Sequence, residues 1–228
     1  MGEPFQVAPQ AYDRMLMSGL KLSGEDKTFF IRGRLDALRL CLHGSPQPIR
    51  RILDFGCGIG DTEPILRQYF PGADITGADI DAESVVYARD KFRDPHIKFC
   101  TLSELSEQPV FDLCYTNGVF HHIPLGEREA ALRMILRVLK PGAHFAFFEN
   151  NPWSPATRLV MHRTPFDRGA HCLSSKHAKK LLGTTGFCDI AEPYYMFFFP
   201  RFLAAFRRVE PFLTRCFLGS QYLLLARK

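Results

Sequence analysis

Ile52-Leu53-Asp54-Phe55-Gly56-Cys57-Gly58-Ile59-Gly60-Asp61 is the stretch from which the rest of the chain is read. An apolar run closes on an acid, three glycines fall on alternate positions, and a polar residue opens the next segment. A strand that bends directly into a helix needs glycine there, because a residue without a Cβ adopts unusual dihedrals cheaply and lets a ligand approach the backbone. The helix after the bend presents its first amides to that ligand. Two ligand classes use such a bend. Dinucleotides favour G-x-G-x-x-G with phosphate on the helix N-terminus, whereas the spacing here is G-x-G-x-G with Asp54 ahead of it, and an aspartate at that place suits a cation. A second acid, Asp79, ends the next apolar run 23 residues after Gly56, the kind of separation at which an acid meets ribose hydroxyls in either class.

Working outward, residues 51–150 alternate short β-branched or aromatic runs with longer amphipathic stretches, the signature of repeated βαβ units around a parallel sheet. The spacing predicts strands at 52–55, 73–78, 97–100, 111–115 and 143–148. Helices are predicted at 64–70, 82–92 and 128–139, with Ile65, Leu66 and Tyr69, then Val85, Val86 and Ala88, then Leu132, Ile135, Leu136 and Leu139 as buried stripes. Lys140-Pro141-Gly142 stops the last of these. Two helices precede the core, at 9–20 and 26–42, and a Gly/Pro linker occupies 43–48. Beyond the core, 151–173 reads as irregular, Ser174 caps a helix to Gly183, 189–199 resumes strand character, 200–218 is an irregular or helical insert, and 221–227 is a terminal strand. The organisation expected is an N-terminal helical cap or lid over 1–48 and an α/β domain over 49–228, with 151–173 and 200–218 as acceptor-side inserts.

A chain of 228 residues with 46% hydrophobic and 23% charged side chains makes one large domain and excludes a disordered or fibrous protein. No apolar run is long enough to span a bilayer, and residues 1–10, with Glu3, Pro4 and Gln6, do not read as a secretory signal. The seven cysteines are scattered with no C-x-x-C, which points to a reducing, cytoplasmic compartment. Charge is unevenly placed: residues 151–228 hold twelve basic and four acidic side chains, whereas 49–150 is net acidic. Either the last third faces something anionic or it is a solvated basic face.

These blocks, in this order, resemble the class I S-adenosylmethionine-dependent methyltransferases over most of residues 49–150. The resemblance implies a Rossmann-like, doubly wound seven-stranded sheet, mostly parallel with an antiparallel terminal strand, and S-adenosylmethionine as cofactor. It implies that Asp54, Gly56, Cys57, Gly58 and Gly60 cradle the methionine part, that Asp79 holds the ribose, and that Ile80 lies against the adenine. It places Asn117, Gly118 and Val119, after the fourth strand, beside the cofactor. Many relatives carry an acid just past the third strand to accept from the adenine amino group. This chain reads Thr101-Leu102-Ser103-Glu104 there, so Leu102 lines the pocket and Ser103 or Glu104 takes the contact.

Methyl transfer from a sulfonium is an in-line displacement in which positive charge disappears, so alignment in a water-poor, apolar pocket favours it. Among 21 phenylalanines, Phe29, Phe30 and Phe197 to Phe199 are candidates for a lid or for ordinary core. A base is needed only if the acceptor arrives protonated. His121 suits that role by position and by an imidazole that titrates near neutrality, and it resembles the basic histidine of the carbon-methylating domains of polyketide synthases; a place in the pocket wall is the alternative. Glu149-Asn150-Asn151-Pro152, Pro165-Phe166-Asp167 and Leu218-Gly219-Ser220-Gln221-Tyr222 resemble a bacterial subgroup acting on small metabolites, sugars or lipid-linked acceptors. Glu149, as a second catalytic group, and Arg163, Asp167 and His122 are the acceptor-side candidates.

His162, His171, Cys172 and His177 match no zinc spacing, so no metal is expected. Asn151-Pro152-Trp153 comes after the fifth strand, not the fourth where DNA amino-methyltransferases carry their comparable block, so no nucleic acid partner is expected. In 201–209, Phe202, Phe206 and Val209 share one helical side with Arg201 and Arg208 away from it: a cap packed on the domain, or a contact with a membrane surface. A small or lipid-linked, anionic acceptor and a monomer or homodimer complete the reading. A non-catalytic cofactor-binding subunit and a nucleotide-dependent oxidoreductase are its rivals.

Overall fold

The computed structural model describes residues 15, 17–45, 47–164 and 170–228. Strands β1 (Arg51–Phe55), β2 (Asp74–Asp79), β3 (Ile97–Thr101), β4 (Phe111–Asn117), β5 (Leu139–Asn150), β6 (Tyr194–Met196) and β7 (Gln221–Arg227) join in one sheet of order β3-β2-β1-β4-β5-β7-β6. The first five are parallel neighbours. β7 runs antiparallel between β5 and β6, in register from His144 opposite Arg227 to Asn150 opposite Gln221. The mostly parallel seven-stranded sheet with antiparallel pairing at its end is the architecture expected.

Strand alternation sorts the apolar residues into two layers, since successive side chains leave opposite faces of a sheet. Leu53, Phe145 and Phe147 face one core with Leu132 and Ile135 of helix α4 (Arg128–Val138) and Leu182 of α6 (Ser175–Thr185). Ile52, Tyr115 and Phe148 face the other, with Ile31, Leu35 and Leu38 of α1 (Lys27–Cys41), Leu66 of α2 (Glu63–Tyr69) and Val85 of α3 (Ala82–Lys91). Central strands buried on both sides read as near-continuous apolar runs, which is why they are legible in the sequence. Truncating a ring such as Phe147, which is fully enclosed, to alanine costs about 3–5 kcal/mol. Chain order reverses between β1 and β4, and ligands bind in the crevice beyond the strand ends at such a switch point.

Several boundaries differ from expectation for local reasons. The helix expected over 9–20 lies mostly outside the described residues. The segment expected to be irregular contains α5 (Pro155–Arg163), started by Ser154, which accepts from Thr157 N at 3.4 Å, and by a proline at the first helical position. Strand character over 189–199 shrinks to β6, because Asp189 and Phe197 take positive φ, 45° and 62°, and Pro193 supplies no amide. β5 starts at Leu139, so Lys140-Pro141-Gly142 lies within its span, across a register shift between Phe111 and Leu113 of β4. Val86 is exposed, not part of the α3 stripe. Residues Arg201–Val209 form a kinked 3-10 segment leading into α7 (Glu210–Leu213); none of its side chains is fully buried, although Arg207 packs on Phe29 and Phe206 on Phe199.

Candidate functional site

The glycine bend closes the C-terminal end of β1. Gly56 and Cys57 donate to the Ala78 carbonyl at 2.7 and 3.2 Å, so the bend hangs from β2. Gly56, Gly58 and Gly60 all take positive φ, 79°, 53° and 79°. A Cβ at Gly56 would run into Val119, and one at Gly60 would lie 2.8 Å from the Phe99 ring and 2.9 Å from Ala88. A Cβ at Gly58 would meet nothing within 4 Å. Two of the glycines are therefore required by protein atoms. The third borders open space.

Asp79 Oδ2 accepts from Gly58 N at 2.7 Å and its Oδ1 accepts from Asp81 N at 2.9 Å, which pins the bend to the end of β2. Asp54 lies beneath. Burial, reinforced by the nearby Asp79 charge and offset by Arg34, pushes its carboxyl up to about 8. Among the described residues no hydrogen bond reaches the Asp54 carboxyl. Glu63, in the first turn of α2, is fully enclosed, and neither of its carboxyl oxygens has a partner among the described residues. Its pKa is driven well above the carboxylate range by burial and then by Asp54. Burial, Glu63 and Asp54 likewise keep the Cys57 thiol protonated.

On the far side of Asp54, α1 contributes Arg34, a buried guanidinium whose Nε donates to Tyr115 Oη at 3.0 Å and whose Nη1 donates to Gln221 Oε1 at 3.1 Å. Gln221 in turn donates to Asn150 Oδ1 at 3.0 Å. The N-terminus of α1 is fastened to the end of the bend by Lys27, 2.5 Å from Asp61, which Lys91 of α3 also reaches at 2.8 Å. Sequence reasoning does not reach Arg34 or Glu63. An acid two residues past the bend is a visible signal for Glu63; an arginine on an apolar helix face is a fainter one for Arg34.

Along the crevice, Asn117 Oδ1 is buried without a partner among the described residues, and Gly118, at φ 66°, donates to Phe148 O. Val119 covers Gly56. Ile80 is 78% exposed, leaving an apolar face open for a planar group. Leu102 is half-buried and its amide donates to Asp79 O at 2.9 Å. Ser103 is exposed and pairs with Thr101 Oγ1 at 2.9 Å. Glu104 accepts from Thr101 N and Arg89, and the Thr101 backbone bond first, with Arg89, holds it below its ordinary value. Of the two candidates for the adenine contact, Ser103 is thus the less engaged.

Beyond Gly118, His121 is buried and its Nδ1 lies 2.7 Å from Glu149 Oε2. Glu149, at the end of β5, is fully enclosed. Its Oε1 also accepts from Phe120 N at 2.8 Å, and its Oε2 from Asn150 N at 3.1 Å. Burial raises its pKa, but the His121 charge and these donors more than reverse that, so Glu149 sits below the carboxylate range. An ionised acceptor requires the proton on Nδ1, which makes Nε2 the basic nitrogen of the neutral ring. Glu149 thus meets His121 through Nδ1 and has no surface open to solvent. The exposed His122 ring lies 4.1 Å from that of His121. His171 N donates to His121 O, and Arg128 ties His171 O and Ile123 O. Arg163 is exposed at the end of α5, and Asp167 lies outside the described residues. Phe29, Phe30 and Phe197 form a ring cluster with centroids 5.0–6.0 Å apart.

The family model described as a methyltransferase domain matches residues 53–145. A demethylmenaquinone methyltransferase from Thermus thermophilus is 29% identical over 172 residues, covering 72% of this chain and 71% of its own. A trans-aconitate 2-methyltransferase from Escherichia coli is 24% identical over 159 residues, covering 68% of this chain; the match spans 62% of the relative's length. In fold, human N-acetylserotonin methyltransferase solved with S-adenosylmethionine superposes with a TM-score of 0.67 at 21% identity, over all of this chain and 59% of that one.

Proposed function

We propose that this chain, whose residues 53–145 match a methyltransferase domain and whose relatives are methyltransferases, uses S-adenosylmethionine to methylate an oxygen, nitrogen or carbon nucleophile of a small, anionic or lipid-linked acceptor, with His121 as base and Glu149 as its positioning residue. The bound cofactor supplies an electrophilic methyl group on a cationic sulfur.

The observation that carries the reading is a pair of buried acceptors that no hydrogen bond from the described residues reaches. Asp54 and Asn117 Oδ1 lie by a bend whose middle glycine borders open space. Burying unmatched polar groups costs about 1–3 kcal/mol each, and a ligand carrying an ammonium and a sulfonium removes that cost. In this reading Asp54 and Asn117 hold the methionine amino group, Arg34 faces its carboxylate, and Asp79 takes the ribose hydroxyls. Ile80 and Leu102 enclose the adenine, with Ser103 at its amino group.

The acceptor approaches from the His121 side. His121 takes a proton at Nε2 as the nucleophile forms its new bond, and the enclosed Glu149 carboxylate stabilises the imidazolium and fixes the tautomer. The Phe29, Phe30 and Phe197 rings keep water from the reacting atoms. The exposed Arg158 and Arg163 on α5 supply positive charge for an anionic acceptor. The relatives are named for demethylmenaquinone and trans-aconitate, and both acceptor types lie within the proposal.

Calorimetry with S-adenosylhomocysteine and NAD, then labelled-methyl transfer to panels of polycarboxylates, sugars and quinols, tests it. Binding of S-adenosylhomocysteine alone, with label entering one panel, is expected. Binding of NAD in its place would overturn it.

A further inference from the structure

Exposed large apolar side chains occur singly along the chain, at Leu40, Ile80, Val86 and Leu125 among others, but one segment concentrates them and holds the exposed phenylalanines. Phe202, Phe206, Phe212 and Phe217 are 80%, 56%, 87% and 58% exposed, and Val209 and Leu218 join them. All six lie within residues 201–218, in a fold whose other phenylalanines largely line its two cores. Trp153 belongs to the same rim: Asn151 Nδ2 donates to Phe217 O and Gly219 O, and Asn151 Oδ1 accepts from Trp153 N. Scattered exposed apolar residues need no account, but a concentration of exposed rings in one short segment marks a candidate interaction surface.

Its charge says with what. Residues 201–218 hold four arginines and one acid. Arg207 turns inward, stacking on Phe29 and pairing with Glu25 at 2.8 Å, while Arg201, Arg208 and Arg215 remain exposed. The one acid, Glu210, accepts from the Phe198 and Phe199 amides and offers little to an incoming cation. A second copy meeting the patch symmetrically would set arginine against arginine. Short helical turns with aromatic side chains pointing outward and basic ones around them suit the boundary of a bilayer, where rings enter the acyl region and guanidinium groups stay at the headgroups.

We propose that residues 201–218, with Trp153, form a docking surface for an anionic lipid bilayer. The inward Arg207–Glu25 pair fixes this surface to the N-terminal end of α1, the element that carries Lys27 to the glycine bend and Arg34 to Asp54. Docking therefore sets the rim of the crevice beside the membrane without requiring turnover.

Flotation of the whole protein with phosphatidylcholine vesicles, and with vesicles mixed equally with phosphatidylglycerol, tests this at low and high salt. The wild type is expected to float with the mixed vesicles at low salt, less at high salt, and not with phosphatidylcholine alone. A Phe202→Ser, Phe206→Ser, Phe212→Ser variant should lose about tenfold or more of the bound fraction. An Arg201→Gln, Arg208→Gln, Arg215→Gln variant should lose the preference for anionic lipid. Retained S-adenosylhomocysteine binding certifies the fold of each. Absence of flotation with mixed vesicles at low salt, or flotation unchanged by the Phe substitutions, overturns the proposal. So does a dimer in sedimentation that the Phe substitutions dissolve while vesicles recruit nothing, which would assign the patch to a second copy.

Discussion

His121 Nδ1 and Glu149 Oε2 meet at 2.7 Å with both side chains withdrawn from water. Glu149→Gln keeps the shape but replaces a charged acceptor by an amide that no longer fixes the ring proton. We expect kcat to fall about 100-fold or more with little change in KM for the methyl donor. Equal losses in both would mean that the pair only braces the wall. The same carboxylate has a pH signature. Its folded pKa lies below its ordinary 4.5, so its stabilisation is present above that value and is lost as pH falls through the folded one. Urea midpoints of the wild type should therefore decline on acidification below about pH 5, and those of the variant should decline less.

The buried acids beneath the bend have the opposite sign. Asp54 is raised from 3.8 to about 8, so the stability it confers as a neutral group is complete below the unfolded value and disappears as pH rises to the folded one. Without ligand, the melting temperature should fall between pH 5.5 and pH 8. Glu63→Leu removes a buried carboxyl that has no partner among the described residues and should gain about 1–3 kcal/mol at pH 8, at about 2–4 °C for each. An unchanged melting temperature in a pH 8 scan would show that Glu63 is satisfied after all.

Gly58→Ala and Gly60→Ala separate fold from ligand space. At Gly60 the new methyl meets Phe99 and Ala88, and a loss of about 1–3 kcal/mol in urea is expected from clash and strain. At Gly58 it projects into open space, so only about 1 kcal/mol of backbone strain is expected, whereas S-adenosylhomocysteine affinity should fall at least tenfold. Calorimetry that finds Gly58→Ala binding normally would place the ligand elsewhere.

Arg34→Leu probes which part of the ligand the guanidinium meets. S-adenosylhomocysteine carries a carboxylate and methylthioadenosine does not. A charge-assisted bond is worth about 1.5–3 kcal/mol, so the first ligand should weaken by about 10–100-fold and the second hardly at all. Parallel weakening of both would assign Arg34 to supporting Tyr115 and Gln221 alone.

Period and glycine are the two features that make this fold legible in its sequence. The central parallel strands can be read because both faces are covered and their runs are largely apolar; the bend can be read because three positive-φ positions in close succession favour glycine. Two kinds of feature stay hidden. Long-range side-chain partners such as Arg34 with Tyr115, 81 positions apart, leave no local pattern. In the turn-rich tail single residues decide matters: Ser154-Pro155 starts a helix in a segment whose composition reads as irregular, and positive φ at Asp189 and Phe197 cuts a strand to three residues. Glu149 stands out in the sequence as a candidate site residue, but only the fold, which brings it 2.7 Å from His121 Nδ1, shows that it meets the histidine.

β7 is inserted between β5 and β6, and Gln221, its first residue, grips both Arg34 and Asn150. A nascent chain that has left the ribosome only as far as α7 therefore has the outer edge of β5 unpaired and Arg34 without one of its two anchors. Until β7 has been made and inserted, the crevice beside Arg34 is incompletely braced, and the bare β5 edge is the place where a chaperone, or a neighbouring polypeptide, would bind.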